Sequence, residues 1–421
     1  MARESVRGGR GGEREERHGE IRFIDGGTVT TPRGFSSGAT YAGIKTYAED
    51  KLDLGLLLSQ RPSSVAGVFT TSAIRSPSVR LTEERVSQGK ARALVVNSGV
   101  ANACVGEQGY TDAQDTTAEA ANRLGLRPEE VLIGSTGIIG VELPMALIRA
   151  GIRRIELSED GGHHLARAIL TTDSHPKEGA VSFQLRGKTI TIGGIAKGAG
   201  MIHPNMATML SYLTTDGEVE AAFLQRALKG AVDASFNMLS VDGDTSTNDT
   251  VLIFSSGAAE AGPIEEGSPY GDLFQDALGQ LCVHLAKEIA RDGEGATKLI
   301  EVTVEGAKTS SAARLAARTV VSSSLVKCAV HGADPNWGRI IAALGRSGAE
   351  VEEGKIALYV NDVCIMEDGR PIPFHKDGVV ALMRGAEVSF RIRLNLGQGR
   401  ATAWGCDLSE EYVTFNSAYT T

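Results

Sequence analysis

The sequence lacks the cysteine pattern of a disulfide-stapled or zinc-binding protein. Only five of its 421 residues are cysteines. They are odd in number, far apart and never in a CxxC pair, which argues against a disulfide framework and a zinc ribbon. Thiols scattered in this way are typical of a reducing cytosol, so we expect a cytoplasmic protein. The cysteines are Cys104, Cys282, Cys328, Cys364 and Cys406.

Long apolar runs and an excess of basic residues are also missing. No run approaches the roughly 18 to 20 apolar residues that a membrane helix needs, and residues 1–20 have no apolar core of a signal peptide. Lysine and arginine number 43 against 52 for aspartate and glutamate, which gives a formal charge of -9. Nucleic-acid-binding faces carry a basic excess. We therefore expect neither a membrane nor a nucleic acid as a partner.

What is present is the composition of a globular chain. Hydrophobic residues make up 42% and charged residues 23%, and a chain of this length builds its core without a disulfide or metal staple. Residues 1–20 are the exception, because glycine, arginine and glutamate alternate there with almost nothing to bury. We predict that this segment is a disordered tail. From Ile21 onward the chain contains no linker and no repeat.

Strand and helix patterns are interleaved along the chain. A short apolar run over 91–97 predicts a strand, and two pairs of alternating segments predict hairpins: 180–185 with 189–195, and 387–396 with 400–404. Apolar residues at helical spacing from Leu273 to Ile289 predict a helix that ends near Asp292. A second helix is predicted from near Asp216 to Leu228. Hairpins mixed with helices, without strict strand–helix alternation, favour a layered α+β fold.

A glycine-rich segment and an acidic one attract attention as candidate sites. Residues 193–210 (GGIAKGAGMIHPNMATML) follow a strand and begin with closely spaced glycines. They match neither GxxxxGK[ST] nor GxGxxG, so a ligand-binding turn and a plain glycine turn stay equally open, and His203 receives no role. The acidic segment, 242–249, lacks the full spacing of a calcium loop. We predict a hydrogen-bonded turn there and no metal site.

Residues 197–210 resemble the self-cleavage segment of a known family. KGAGMIHPNMATML is similar to the segment in the ornithine acetyltransferase family, also called glutamate N-acetyltransferase or the arginine biosynthesis bifunctional protein. In that family the chain is cut between the Ala and Thr of NMATML, which corresponds here to Ala207–Thr208. The resemblance implies an α chain over 21–207 and a β chain over 208–421. The new N-terminal Thr208 would be the nucleophile.

The resemblance extends over about residues 21 to 421 and implies the rest of the site. It assigns the oxyanion hole to the Thr136 hydroxyl and the Gly137 backbone N–H. The implied substrate contacts are Thr171, Lys197, Thr208, Glu294, Asn416 and Thr421. Further similar segments are 96–104, 135–137, 171–173, 240–249, 291–298, 332–339 and 416–421. The chain departs from the family pattern at Val100, Val105 and Thr420, and the last of these lies beside the implied pocket.

The resemblance also implies an architecture and a reaction. The expected fold has stacked β-sheets flanked by helices, of the N-terminal-nucleophile and aminopeptidase type, with a smaller C-terminal α/β domain at roughly 300–421. The reaction would move acetyl from N2-acetylornithine to glutamate through an acetyl-Thr208 ester in an α2β2 assembly. No cofactor is implied. The sequence leaves open whether acetyl-CoA also serves as a donor.

Elementary chemistry explains why cleavage and catalysis belong together. A threonine hydroxyl is a weak nucleophile until a neighbouring base takes its proton. The α-amine that cleavage releases has a pKa of about 7.7 to 8.0 and can be that base. Two other interpretations fit Thr208: an N-terminal-threonine amidohydrolase or aminopeptidase that passes its acyl group to water, and a non-catalytic binding protein in which Thr208 stays internal.

Overall fold

The computed structural model describes residues 20–45, 51–203 and 209–418. Residues 1–19 of the predicted tail, the Ala207–Thr208 bond and Thr421 lie outside the described residues. The strands are β1 Arg22–Phe23, β2 Phe35–Thr40, β3 Leu54–Phe69, β4 Lys90–Val100, β5 Val131–Ile138, β6 Lys177–Leu185, β7 Lys188–Lys197, β8 Leu210–Thr215, β9 Glu218–Val219, β10 Leu239–Ser240, β11 Thr250–Ser255, β12 Pro263–Ile264, β13 Leu299–Ala307, β14 Ala357–Val360, β15 Val363–Glu367, β16 Arg370–Pro371, β17 Glu387–Arg393 and β18 Gly399–Cys406. The α-helices are α1 Pro77–Val86, α2 Gln108–Leu124, α3 Met145–Arg154, α4 Gly162–Ala168, α5 Ala221–Ala234, α6 Pro269–Arg291, α7 Ser310–Val321, α8 Ser324–His331, α9 Trp337–Gly345, α10 Lys376–Met383 and α11 Glu410–Ala418.

The larger sheet is organised around its long strand β3. The strand order is β1-β6-β7-β8-β11-β3-β4-β5, and β2 pairs with β3 off this path. The first part of β3 pairs with both β2 and β4, whereas its last part, from Ser64 to Phe69, pairs with β11. The β3–β4 ladder shifts between Leu58 and Ser63. A shift of this kind bends a strand and increases its twist, so the two ends of the sheet are free to turn towards each other.

The sheet folds back on itself into two stacked layers. Leu94 of β4 and Leu132 of β5 share one buried core with Ile195 of β7 and Tyr212 of β8. In the strand order β5 and β8 are separated by β11, β3 and β4, yet the Tyr212 hydroxyl lies against Gly134 of β5. The expected stacked sheets are thus two halves of one hydrogen-bonded sheet.

Helices cover the outer faces of both layers. Successive strand residues point to opposite faces, so Val95 and Ile133, neighbours of the inward leucines, pack outward against α2 and α3. On the other side Leu213 packs with α5 and α6. The order helix, sheet, sheet, helix confirms the predicted α+β class.

A second, seven-stranded sheet has the order β10-β18-β13-β17-β14-β15-β16. Most of its strands come from residues 299–406, but β10, at Leu239–Ser240, precedes that range. The buried residues of β13 and β18 belong to the same apolar cluster as α5 and α6. The domain boundary placed near residue 300 therefore stays a prediction.

Three local predictions are confirmed and two are wrong. The strand predicted over 91–97 lies within β4. The hairpin of β6 and β7 closes at Leu185 and Lys188, and α6 ends at Arg291. The predicted hairpin over 387–404 does not form, because β13 lies between β17 and β18. The connection between these two strands crosses the end of β13, where Leu396 and Gly397 donate their N–H groups to Gly306.

The start of α5 also differs from the prediction. The helix begins at Ala221, where the Glu220 side chain accepts from the Ala222 and Phe223 N–H groups. Asp216, the predicted start, instead accepts a backbone hydrogen bond from Thr191 at 2.7 Å. Asp216 therefore belongs to the turn between β8 and β9 and not to the helix.

The fit between Gly134 and Tyr212 can be tested by substitution. A Cβ added at Gly134 would lie 2.0 Å from the Tyr212 Oη, so we expect Gly134→Ala to lower the free energy of unfolding by about 1–3 kcal/mol. That Oη is buried and has no hydrogen-bond partner among the described residues. Tyr212→Phe therefore removes the closest contact without breaking a bond and leaves the ring Cζ at 3.1 Å, so the double variant should recover a large part of the loss. Urea unfolding measures all three variants.

A matched control separates this clash from a general effect of adding a methyl group. Gly279 lies within α6 and a Cβ there would meet nothing within 4 Å. Gly279→Ala should raise the free energy of unfolding by about 0.5–1 kcal/mol, because glycine is a poor helix former. Simple additivity of Gly134→Ala and Tyr212→Phe would contradict the proposed contact between the layers.

Candidate functional site

The first part of the site is the end of β5. Gly137 has a φ of 130°, and a Cβ there would lie 2.2 Å from the carbonyl carbon of Gly99. Only glycine fits this close approach, and the register between β4 and β5 is irregular at the same place. The Asn248 side chain holds the turn by donating to the carbonyl of Ser135 at 2.8 Å. The Ser135-Thr136-Gly137 turn is therefore rigidly built.

Lys197, the last residue of β7, brings three of the predicted side chains together. Its Nζ donates to the Thr171 Oγ1 at 2.8 Å and to the Thr136 Oγ1 at 3.4 Å. An ammonium group has three protons and no acceptor. Both hydroxyls therefore accept hydrogen bonds from it, and within the described ranges no other group binds their own protons or the third proton of the ammonium. Lys197 is 2% exposed. Burial lowers its pKa, and the charge of Asp173 opposes this.

Glu294 and Asn416 form a second pair beside the segment that follows Lys197. The Asn416 Nδ2 donates to the Glu294 Oε2 at 2.8 Å. The Glu294 backbone N–H bonds to the Ala199 carbonyl at 2.9 Å, and a Cβ added at Gly200 would lie 2.5 Å from the Glu294 carboxylate. The negative charge of Glu294 raises the pKa of Lys197. The segment 198–200 thus has the cation of Lys197 directly before it, and the anion of Glu294 lies against it.

The C-terminal helix α11 reaches the site but is docked only in part. The sequence favours Tyr412, Val413, Phe415 and Tyr419 as its docking residues. Tyr412 and Phe415 are half-buried, whereas Val413 is 65% exposed and Tyr419 lies outside the described residues. The prediction for Val413 is wrong, because α11 turns this face to solvent. Among the predicted contacts, Thr208 and Thr421 are not described.

The acidic segment 242–249 anchors both ends of the undescribed stretch 204–208. Asp242 accepts from the backbone N–H groups of Met201 at 2.6 Å and Ile202 at 2.8 Å. On the other side Asp249 accepts from the Met209 N–H at 2.9 Å. Burial raises the pKa of Asp249 well above its usual value. The described residues contain no group of three or more potential ligands arranged around a metal position.

Sequence reasoning missed a second buried lysine near the site. Lys45 is buried and its Nζ donates to the Leu52 carbonyl at 2.9 Å. Burial, with a smaller contribution from the charge of Lys197, lowers the pKa of Lys45 to about 8. Its loop is held by the Asp53 carboxylate, which accepts from the Ile44 N–H at 2.7 Å. No pattern in the sequence marks Lys45 as buried.

Comparison with known proteins places the chain in a family. The ArgJ family model matches residues 36–421. A relative from Symbiobacterium thermophilum is 51% identical over 94% of this chain and 99% of its own length. Another, from Dehalococcoides mccartyi, is 50% identical over 95% of this chain and 99% of its own. Both are named arginine biosynthesis bifunctional protein ArgJ.

A crystal structure agrees with the sequence comparison. A chain of the Bacillus halodurans arginine biosynthesis bifunctional protein is 44% identical, with a TM-score of 0.50, and aligns over 50% of this chain and 100% of its own length. None of the helices in the described ranges has both the length and the apolar content needed to cross a membrane. The resemblance seen in the motifs is confirmed by these matches, and the chain belongs to the ArgJ family.

Proposed function

We propose that the protein is a glutamate N-acetyltransferase of arginine biosynthesis, moving acetyl from N2-acetylornithine to glutamate through an ester on Thr208. The observation that carries the proposal is the contact of Lys197 with Thr136 and Thr171, directly ahead of the segment that contains Thr208. Family membership supplies the reaction. The site supplies complementary charges, since Lys197 suits a substrate carboxylate and Glu294 suits an amino group.

Self-cleavage would generate the catalytic group. The Thr208 hydroxyl attacks the Ala207 carbonyl, the chain shifts from amide to ester at this bond, and water hydrolyses the ester. The freed α-amine of Thr208 is then the base that takes the hydroxyl proton in each later attack. Negative charge on the attacked carbonyl oxygen is met by the Thr136 hydroxyl and the Gly137 N–H. Loss of one such donor typically raises the barrier by about 3–4 kcal/mol.

Acetyl transfer then takes two similar steps. The Thr208 hydroxyl attacks the acetamide carbon of N2-acetylornithine, and the ornithine amine leaves after it receives the proton held by the α-amine. This forms the acetyl ester. The glutamate amine attacks that ester, and Thr208 recovers its hydroxyl. The relatives are named bifunctional, and we extend the proposal to acetyl-CoA as a second donor to the same hydroxyl.

Cleavage at residue 207 is compatible with an intact fold. β7 lies before the cleavage point and β8 after it, and they pair antiparallel from Ile192 with Thr215 to Lys197 with Leu210. The ladder would therefore hold the α and β chains together. The half-length match of the Bacillus halodurans chain is what a cut near the middle would leave. We extend the proposal to an α2β2 assembly in the cytoplasm.

The first experiment tests maturation. Purified protein should consist of two fragments, the second beginning at Thr208, and Thr208→Ala should remain one chain and be inactive. Thr208→Ser should still cleave, because a hydroxyl is retained. The measurement is intact-mass spectrometry with N-terminal sequencing, and Thr111→Ala, at an exposed position, is the control. A second fragment that begins at any other residue would remove Thr208 from the mechanism.

The second experiment tests the covalent intermediate. If the acetyl ester forms, N2-acetylornithine and glutamate should give parallel double-reciprocal lines. Labelled ornithine should exchange into N2-acetylornithine without glutamate. Intersecting lines without exchange would indicate direct transfer in a ternary complex. Acetate release that needs no glutamate would identify an amidohydrolase instead.

The third experiment separates two groups that titrate in the same range. The α-amine must be neutral to act as base, so kcat/KM should fall as the pH drops below about 8. Lys45, with a pKa lowered to about 8, gains its charge over the same interval. We expect Lys45→Met to keep this dependence on pH. A flat profile in Lys45→Met would assign the titration to Lys45 rather than to the α-amine.

A further inference from the structure

A buried ion cluster lies behind the proposed substrate contacts. The Nζ of Lys177 donates to carboxylate oxygens of both Asp173 and Asp292. The exposed fractions of these side chains are 0% for Lys177, 0% for Asp173 and 6% for Asp292. Buried ions lose several kcal/mol of hydration each, and apolar residues in their place are often no less stable. Packing alone therefore gives no reason for three ions here.

The carboxylate of Asp173 holds the backbone near both partners of the hydrogen bond between Lys197 and Thr171. Asp173 accepts from the N–H of Gly198 at 2.6 Å and from the N–H of Thr171 at 3.0 Å. Gly198 directly follows Lys197, and Thr171 carries the hydroxyl that accepts from the Lys197 ammonium at 2.8 Å. One side chain thus sets the distance between two proposed substrate contacts.

The second carboxylate ties the same turn to Glu294. Asp292 accepts from the Ser174 N–H at 2.9 Å and also from its hydroxyl. Asp292 follows the last residue of α6 and stands two residues before Glu294. Because Asp173 and Lys177 precede the proposed cleavage point and Asp292 follows it, the cluster also joins the two future chains.

Within the cluster the single cation of Lys177 lies between two carboxylates. Lys197 supplies a second positive charge that acts on Asp173. The charges of Lys177 and Lys197 hold the pKa of Asp173 below its usual value although burial raises it. In return Asp173 opposes the lowering of the Lys197 pKa by burial. His175 lies at the solvent side of the cluster, 3.3 Å from Asp292.

We propose that Asp173, Lys177 and Asp292 form a positioning triad for the substrate pocket. The triad holds Lys197 at a fixed place relative to Thr171 and Glu294 and supplies the counter-charge of its ammonium group. The inference rests on the proposed function, because it makes Lys197 and Glu294 the groups that hold the substrate. A cluster that served folding alone would affect stability and leave the affinity of folded molecules unchanged.

The test uses Asp173→Asn in the cleaved enzyme. The amide keeps the shape and one acceptor oxygen but removes the charge. We expect ornithine, the product that binds without turnover, to bind at least tenfold more weakly to the folded variant in calorimetry, and KM for N2-acetylornithine to rise with it. Asp292→Asn, which keeps an acceptor for Ser174, is the second variant and should change affinity in the same direction. Circular dichroism and thermal unfolding establish the folded fraction.

The matched control is an exposed pair of the same residue types and spacing. Lys229 and Asp233 lie 2.6 Å apart with side chains 67% and 29% exposed. Asp233→Asn should leave the ornithine affinity and KM at the wild-type values. Ornithine affinity within twofold of wild type in folded Asp173→Asn would overturn the proposal.

A second readout does not depend on the proposed function. Lys197 should react slowly with an amine-acetylating reagent in the wild type, because it is buried and bonded, and several-fold faster in Asp173→Asn. Peptide mass spectrometry measures this at Lys197, and Asp233→Asn is again the control. If wild-type protein fails to bind ornithine, the proposed function fails, and this labelling alone decides on the triad. Unchanged labelling in the folded variant would then reject it.

Discussion

The burial of one ammonium group, that of Lys197, is the constraint on which the site depends. An unpaired charge in the protein interior is strongly unfavourable. The buried ammonium group of Lys197 therefore needs hydrogen bonds and an opposite charge in place of the water it has lost. The hydroxyls of Thr136 and Thr171 accept hydrogen bonds from it, and Asp173 supplies an opposite charge. These partners come from separate parts of the chain. Compensating this one cation brings together the end of β5, the turn before β6 and the end of β7.

The fold explains why Lys197 and Thr136 meet. Gly134 and Thr136 stand two residues apart on β5 and therefore share a face, as Ile195 and Lys197 do on β7. Ile195 belongs to the core between the two stacked layers, and Gly134 receives the ring of Tyr212 across the same gap. The bond from Lys197 to Thr136 is thus the polar end of an otherwise apolar interface between layers. The contact of Tyr212 with Gly134 sets the distance between the layers that the hydrogen bond from Lys197 to Thr136 requires.

The sequence predicts an element correctly when the residues that determine the element lie close together in the chain. Alternation within 180–195 and the apolar stripe of α6 are local, and both predictions are confirmed. The hairpin over 387–404 fails because β13, about 90 residues earlier in the chain, takes the place between its strands. Family motifs indicate Lys197 and Glu294, but Lys177 bonds to Asp292 across 115 positions. No spacing within one segment reveals such a pair.

The same long-range bonds explain how a cut near the middle of the chain is compatible with an ordered pocket. Asp242 holds Met201 and Ile202, and Asp249 holds Met209. Because both carboxylates belong to one short segment, the two flanks of the proposed cleavage point are fixed relative to each other without the bond between 207 and 208. The ladder of β7 and β8 adds a second restraint. A new N-terminus at Thr208 would then directly precede Met209, whose backbone Asp249 holds.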